Sequence, residues 1–426
     1  MPQNFYEIMS KRGFVEWCSN PEELGKKMER EIVTGYVGFD PSADSLHVGN
    51  MVPIMGLAWL QRLGHKPIPL AGGGTGLIGD PSGKTKERQL LSVERVAYNV
   101  ECIKKQLSRF LDFDCGETSA VMPNNYDWLS KMSFIEFLRD TGKYFPVNTL
   151  INREYVRSRI DDPDKGITYT ELSYILLQAY DFDHMFNDIN CSLQMGGNDQ
   201  QGNIIGGIDL IRRRTGGQAY GLTFQLLLTA AGTKFGKSEE GAVYLDPEKT
   251  SPYKFYQFWI NTDDRDIEHL HRIYSFESLE AIAELAARHT AHPEKREAQK
   301  QLAWEMSERV HGLDVATRVK DASAVLFGER DVKSADEAML DTLAAEIPTC
   351  DIASPLPMPI IDGLVSSGGV SSKGEGKRKI REGGVYLNGE RVQDEAKAIT
   401  ADDLLPGGYA QIRVGKKDFR LIRFNR

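Results

Sequence analysis

The sequence predicts an α/β protein: a parallel-sheet domain first, then a helical stretch, then a small α+β domain. Three observations predict it. Residues 34–111 alternate β-rich runs with amphipathic segments, the pattern of a crossover unit that builds a parallel sheet. Residues 251–347 are rich in Ala, Leu, Glu and Arg, with apolar residues at helical spacing in 279–288 and 295–310. Four prolines among residues 348–359 suggest a linker. Beyond it, a helix-like piece leads into short β runs at 384–392, 409–414 and 420–424. The predicted segments are therefore 1–250, 251–347, 348–359 and 360–426.

Within the first segment, residues 34–40 are β-rich and end in an Asp-Pro-Ser-Ala-Asp turn cluster. Residues 50–63 have helical spacing and stop at Gly64, a suitable C-terminal glycine. A short strand at 66–71 runs into glycines, and Ser92 caps a long amphipathic helix over 92–111. A polar stretch, 161–168, precedes a helix over 171–180. Residues 191–195 and 222–228 read as buried strands, with a helix over 203–214 between them.

The chain has 426 residues, 41% apolar and 27% charged, which excludes disordered, collagenous and coiled-coil classes. No run approaches the roughly 18 apolar residues of a membrane span. The N-terminus has no basic start followed by an apolar block, so the sequence predicts a cytoplasmic protein without a secretory signal. Five scattered cysteines without a C-x-x-C pair predict neither a disulfide framework nor a zinc ribbon, and no protein-bound metal is expected. The net charge of −9 is unevenly placed. Residues 355–426 hold 13 basic and 9 acidic side chains, a net of +4, against −13 for residues 1–354. A basic tail on an acidic body points to a polyanionic partner.

Residues 74–79 (GTGLIG) match G-x-G-x-x-G, but a dinucleotide loop must open directly into a helix, and here Asp80-Pro81-Ser82-Gly83 follows as a turn. Residues 79–85 (GDPSGKT) resemble a P-loop but have three residues between the glycines where four are needed. Neither reading stands.

Residues 40–50 (DPSADSLHVGN) fall at a predicted strand-to-helix junction. There Gly49 lets a flat ring or phosphate approach the backbone, His47 can donate to phosphate oxygens, and the helix N-terminus favours anions. About 190 residues later, 234–238 (KFGKS) is a glycine-flanked loop with two lysines. In this order, on an α/β body, the two segments resemble the two signature motifs of class I aminoacyl-tRNA synthetases. Further segments sharpen the resemblance. Residues 36–41 (YVGFDP), 79–84 (GDPSGK), Tyr174-x-x-x-Gln178-Ala-Tyr-Asp181 and 194–200 (QMGGNDQ) are similar to those of bacterial-type tyrosyl-tRNA synthetases. Residues 385–392 (VYLNGERV), after the basic segment 373–381, resemble a small RNA-binding domain of the ribosomal S-four type. The resemblance covers essentially the whole chain.

It implies a Rossmann-like catalytic domain with an inserted dimer-forming segment (1–250), a helical domain for the tRNA anticodon arm (251–347), an RNA-binding domain (360–426) and a homodimer. The implied reaction is activation of L-tyrosine by ATP, accompanied by Mg2+, to tyrosyl-adenylate, then transfer to the 3′ end of tRNA(Tyr). A carboxylate is already nucleophilic at neutral pH, so the difficulty is charge on the phosphates, which positioned cations and donors relieve. For that task the resemblance implies His47 and Asn50, Lys84 and Arg88, and Lys234, Lys237 and Ser238. Asn50 stands where many class members have a second His. For the nucleotide it implies Asp40, Ser42, Gly49, Gly196, Asp199 and Gln200, with Asp40, Asp199 and Gly196 at the ribose. For the amino acid it implies Asp181 and Tyr36 at the phenol hydroxyl, and Asp80, Tyr174 and Gln178, with Gln194 nearby, at the ammonium.

Two basic regions are candidates for RNA. Arg212, Arg213 and Arg214 end a helix, where the dipole explains one cation better than three. The predicted tail helix carries Lys373, Lys377, Arg378, Lys379 and Arg381, suited to phosphate contacts. On this reading, removal of residues 355–426 preserves tyrosine activation and weakens tRNA charging. Gln201 departs from the family, which usually has Trp there, and predicts altered loop packing with the chemistry intact. An RNA-binding relative with a decayed site is the alternative; the intact His47, Lys234, Lys237, Tyr36, Asp80, Gln178 and Asp181 argue against it.

Overall fold

A computed structural model describes residues 2–81, 91–162, 166–238, 241–327, 330–353, 355–415 and 418–425. Lys84 and Arg88 lie outside the described residues. The chain forms two compact units, Met1–Thr250 with Asn261–Leu302, and Ser251–Ile260 with Ala303–Arg426. The helical stretch predicted as one domain over 251–347 is thus divided between them.

In the first unit, strands β1 (Val15–Cys18), β2 (Thr34–Phe39), β3 (Lys66–Ala71), β4 (Cys191–Gly197) and β5 (Tyr220–Phe224) form one sheet in the order β1-β5-β4-β2-β3. The three pairings among β2 to β5 are parallel as predicted, and β1 adds an antiparallel edge. The sequence does not single out β1, because four residues reading Val-Glu-Trp-Cys carry no clear period. The strand predicted over 222–228 begins earlier and stops at Phe224, and Leu226 and Leu228 beyond it are exposed. The helix Met51–Arg62 follows β2 and is closed by Gly64 at φ +87°. The helix Tyr169–Ile189 opens on a capping box between Thr168 and Glu171 and runs further than predicted, to Asn190 in the left-handed region. Because β2 has β3 on one side and β4 on the other, the carboxyl ends of β2 and β4 border the crevice where α/β sheets place their ligands.

His65 joins the end of this sheet to the N-terminal segment. It is fully buried, its Nδ1 accepts from the Val33 N–H at 3.2 Å, and its Nε2 lies 2.7 Å from the Gln3 carbonyl. That pattern requires the neutral imidazole, and burial lowers its pKa below 6.5. A depressed histidine stabilises the fold above the unfolded pKa, and the contribution is lost as pH falls through and below 6.5. Urea midpoints at pH 8 and pH 5 should therefore differ more for the wild type than for His65→Gln; equal differences would contradict this.

In the second unit, the sheet order is Glu390–Arg391, Val385–Leu387, Tyr409–Val414, Asp418–Phe424, Thr349–Ile352. The predicted linker is therefore a correction: Thr349–Ile352 pairs in parallel with Asp418–Phe424, and Met358–Pro359 pairs with Ala398–Ile399. Prolines are tolerated at such edge positions, so they do not mark a free spacer. Leu405, Tyr409 and Leu421 pack with Ala322, Val325, Leu340 and Leu343 of the preceding helices. A cut at residue 355 would strip this core, so it does not isolate RNA binding in the way the sequence suggests. The basic segment forms the helix Lys373–Arg381, capped by Ser372.

Candidate active site

The crevice at β2 and β4 opens into a cavity of about 340 Å³. It is lined by twelve of the predicted residues: Tyr36, Asp40, Ser42, His47, Asn50, Asp80, Tyr174, Gln178, Asp181, Gln194, Gly196 and Gln200. At its deep end Tyr36 on β2 stands in register with Gln194 on β4, both almost fully buried. The Tyr36 hydroxyl and Gln194 Oε1 make no hydrogen bond among the described residues. Buried polar atoms are normally paired, so these two point to a polar ligand group. Beside them, fully buried Asp181 accepts from Asn125 Nδ2 at 2.8 Å and from Trp128 Nε1 at 2.7 Å. Burial raises its pKa to about 7, with Asp40 adding to the shift and the Asn125 and Trp128 donors opposing it.

Asn125 and Trp128 escape sequence reading because no local pattern links residues 125–128 to residue 181. Asn125 also holds the first glycine loop. Its Oδ1 accepts from the Gly74 N–H at 2.7 Å and its Nδ2 donates to Thr75 Oγ1 at 2.9 Å. Thr75 Oγ1 in turn donates to Asp40 Oδ1 at 2.8 Å, and the Tyr174 hydroxyl donates to Asp40 Oδ2 at the same distance. The glycines at 72–76 thus let a tight turn carry a polar relay from Asp181 to Asp40. A Cβ at Gly72 would lie 2.2 Å from Asp40 Oδ1.

On the opposite wall Gln200 Nε2 donates to Asp80 at 2.8 Å, and Gln200 Oε1 accepts from Gln178 at 3.1 Å and Asn203 at 3.3 Å. Gln200, implied for the nucleotide, therefore sits among the acceptors implied for the ammonium. Asp199 does not line the cavity. Desolvation and then Asp80 raise its pKa, opposed by its backbone hydrogen bond, by Gln200 and, last, by Lys234.

The two signature segments meet directly. Val48 N–H donates to the Val243 carbonyl at 2.8 Å and Leu245 N–H to the Leu46 carbonyl at 2.9 Å, so residues 46–48 run beside 243–245. Gly236, at φ +100°, rests on Gly49: a Cβ there would lie 2.6 Å from the Gly49 nitrogen. Only glycine at 236 permits this approach. Asn50 Oδ1 accepts from the His47 N–H at 3.0 Å, fixing the turn that points His47 into the cavity mouth. Lys237 and Ser238 form a short strand paired with Gly241 and Ala242. The lysine segment, distant in sequence, therefore packs on the histidine segment, whose His47 and Asn50 line a cavity that also contains a buried carboxylate.

The model for class I tRNA synthetases of the tryptophan and tyrosine group matches residues 28–328, and that for the C-terminal domain of tyrosine–tRNA ligases matches 339–422. A tyrosine–tRNA ligase of Anaeromyxobacter dehalogenans is 47% identical over 423 residues, 99% of both chains. That of Roseiflexus castenholzii is 49% identical over 404 residues, 94% of this chain and 95% of its own. The chain belongs to the tyrosine–tRNA ligase family. Among solved structures, a C-terminally truncated mitochondrial tyrosyl-tRNA synthetase of Aspergillus nidulans is similar at a TM-score of 0.69 and 28% identity, covering 76% of this chain and 94% of that one.

The basic residues that the sequence offers as RNA contacts have internal partners to differing degrees. Arg214 binds buried Asp183 at 2.5 Å, Arg213 donates to the Tyr144 carbonyl at 2.9 Å, and Arg212 pairs with exposed Asp209 at 2.8 Å. Arg214 is thus held against the protein. On the tail helix Lys373 pairs with Asp362, Arg378 and Lys379 lie 3.8 Å from Glu382, and Arg381 pairs with Glu395. Lys377 is exposed and makes no ion pair among the described residues. Gln201 opens the helix Gln201–Thr215 and does not line the cavity. No group of three His, Cys, Asp or Glu side chains is arranged to hold a metal among the described residues, and no helix there is long and apolar enough to cross a membrane.

Proposed function

We propose that the cavity binds L-tyrosine with its phenol between Asp181 and Tyr36 and its ammonium among Asp80, Tyr174 and Gln178, with MgATP as co-substrate. The buried hydroxyl of Tyr36 beside the carboxylate of Asp181 is the observation that carries this reading: a donor and an acceptor, side by side, suit one hydroxyl. The tyrosine carboxylate attacks the α-phosphorus of ATP, the bond to the β-phosphate breaks, and pyrophosphate leaves. His47, Ser42, Lys234 and Lys237, with Lys84 and Arg88, bear the charge on the phosphates. Asp40, Asp199, Gly196 and Gly49 hold the adenosine, while Asn50 orients His47. Gln194 and Gln200 support the amine end, and Ser238 belongs to the lysine segment. A ribose hydroxyl of the terminal adenosine of tRNA(Tyr) then attacks the activated carbonyl and AMP departs.

Charging of tRNA(Tyr) with labelled tyrosine tests this reading; no product with intact tRNA would refute it. The enzyme acts in the cytoplasm as a homodimer. Phe134, Ile135, Val147 and Tyr169, each more than 60% exposed, support the dimer by offering apolar surface to a second copy. Sedimentation of a monomer would refute that part.

The tail helix contacts RNA through Lys373, Lys377, Arg378, Lys379 and Arg381, and the acceptor arm meets Arg212 and Arg213. Because truncation removes core packing, charge neutralisation is the cleaner test. Lys377→Gln with Arg378→Gln should leave pyrophosphate exchange unchanged and raise KM for tRNA by about tenfold, with a shallower salt dependence. An equal loss in both assays would contradict the assignment.

A further inference from the structure

The lysine loop at 229–236 is held from a direction that the cavity does not explain. Its tip closes on itself through Thr229 N–H to Thr233 O at 2.8 Å and paired threonine hydroxyls. Next to it lies the helix Ile267–Tyr274. An aspartate just before a helix ordinarily accepts from that helix's own N–H groups. Asp266 makes no such bond; its Oδ2 accepts from the Ala230 N–H at 2.9 Å. At the other end of the helix the buried Tyr274 ring packs on Phe235, which sits between Lys234 and Gly236, with centroids 6.1 Å apart.

This helix is itself fixed. Arg12, almost fully buried, donates to the carbonyls of Arg272, Ser275 and Glu277 at 2.8, 2.7 and 2.9 Å, satisfying acceptors that a helix C-terminus leaves open. Its guanidinium lies 4.4 Å from the ring centroid of Trp59, on the helix that begins after the histidine motif. One arginine thus ties the support of the lysine segment to the helix that follows the histidine motif.

We propose that Asp266 and Tyr274 are positioning residues for the lysine loop: the helix Ile267–Tyr274 seats Lys234 at the distance from His47 that the phosphates require. The proposal rests on the lysine loop acting on the triphosphate. Misplacing a charge by an ångström weakens transition-state contacts without touching the tyrosine cavity. Asp266→Ala and Tyr274→Leu should each lower kcat for tyrosyl-adenylate formation by about tenfold, the equivalent of one lost contact, with KM for tyrosine unchanged. Asp266→Asn keeps an acceptor and Tyr274→Phe keeps the ring, so both should retain near wild-type rates. Asp266 is only half-buried, which keeps the test usable if Tyr274→Leu fails to fold. Unchanged kcat in Asp266→Ala, a parallel rise in KM for tyrosine, or equal loss in the conservative variants would overturn the proposal. A wild-type enzyme without tyrosine-dependent pyrophosphate exchange would instead refute the function of the loop itself.

Discussion

Asp181→Asn is expected to lower kcat/KM for tyrosine by about two to three orders of magnitude and to narrow the preference for tyrosine over phenylalanine. An ionised carboxylate is acceptor-only, and Asp181 already accepts from Asn125 and Trp128. It can take a third donor, the phenol hydroxyl, without conflict. An asparagine must aim its NH2 at one of these three donors, so one contact becomes donor against donor. Loss of a hydrogen bond to a charged group costs about 1.5–3 kcal/mol, and the buried mismatch adds to it. The pH dependence follows the same logic. Burial holds the Asp181 carboxyl at about 7, so the accepting form is depleted as pH falls through that value. Because kcat/KM reports the free enzyme, it should fall on the acid side of about 7 in the wild type, and this limb should vanish in Asp181→Asn. An unchanged limb in the variant would assign it to another group.

Lys234→Ala is expected to act on the rate alone. Removing one preorganised donor to a developing charge typically costs 10²–10³ in kcat, and we expect a loss of about that size in single-turnover adenylate formation. The tyrosine dissociation constant should not move, since Lys234 does not line the cavity that holds the side chain. A proportional rise in the dissociation constant for tyrosine would mean that the lysine helps bind the ground state.

The elements that position this site were legible in the sequence where local chemistry and burial agree. Strands at 34–39 and 66–71, the Ser92 cap and the glycine stop at 64 need only local signals. The strand at 15–18 was not legible because an antiparallel edge is decided by its neighbour β5. The predicted linker failed for a related reason: Thr349–Ile352 is held by residues 72 positions later, and proline content reports only local stiffness. Among site residues, those inside contiguous motifs could be named in advance. Asn125, Trp128 and Thr75 could not, since their role is to orient Asp181 and Asp40 across the fold. Asp266 and Arg12 are further cases, meaningful only once the lysine loop has a neighbour.

The most direct test of the account is pyrophosphate exchange into ATP, driven in parallel by L-tyrosine and L-phenylalanine. One cavity that reads a hydroxyl with Asp181 and Tyr36 and sets cations over a triphosphate should exchange rapidly with tyrosine and at least about a hundredfold more slowly with phenylalanine. Exchange with neither amino acid, or at equal rates with both, would contradict it.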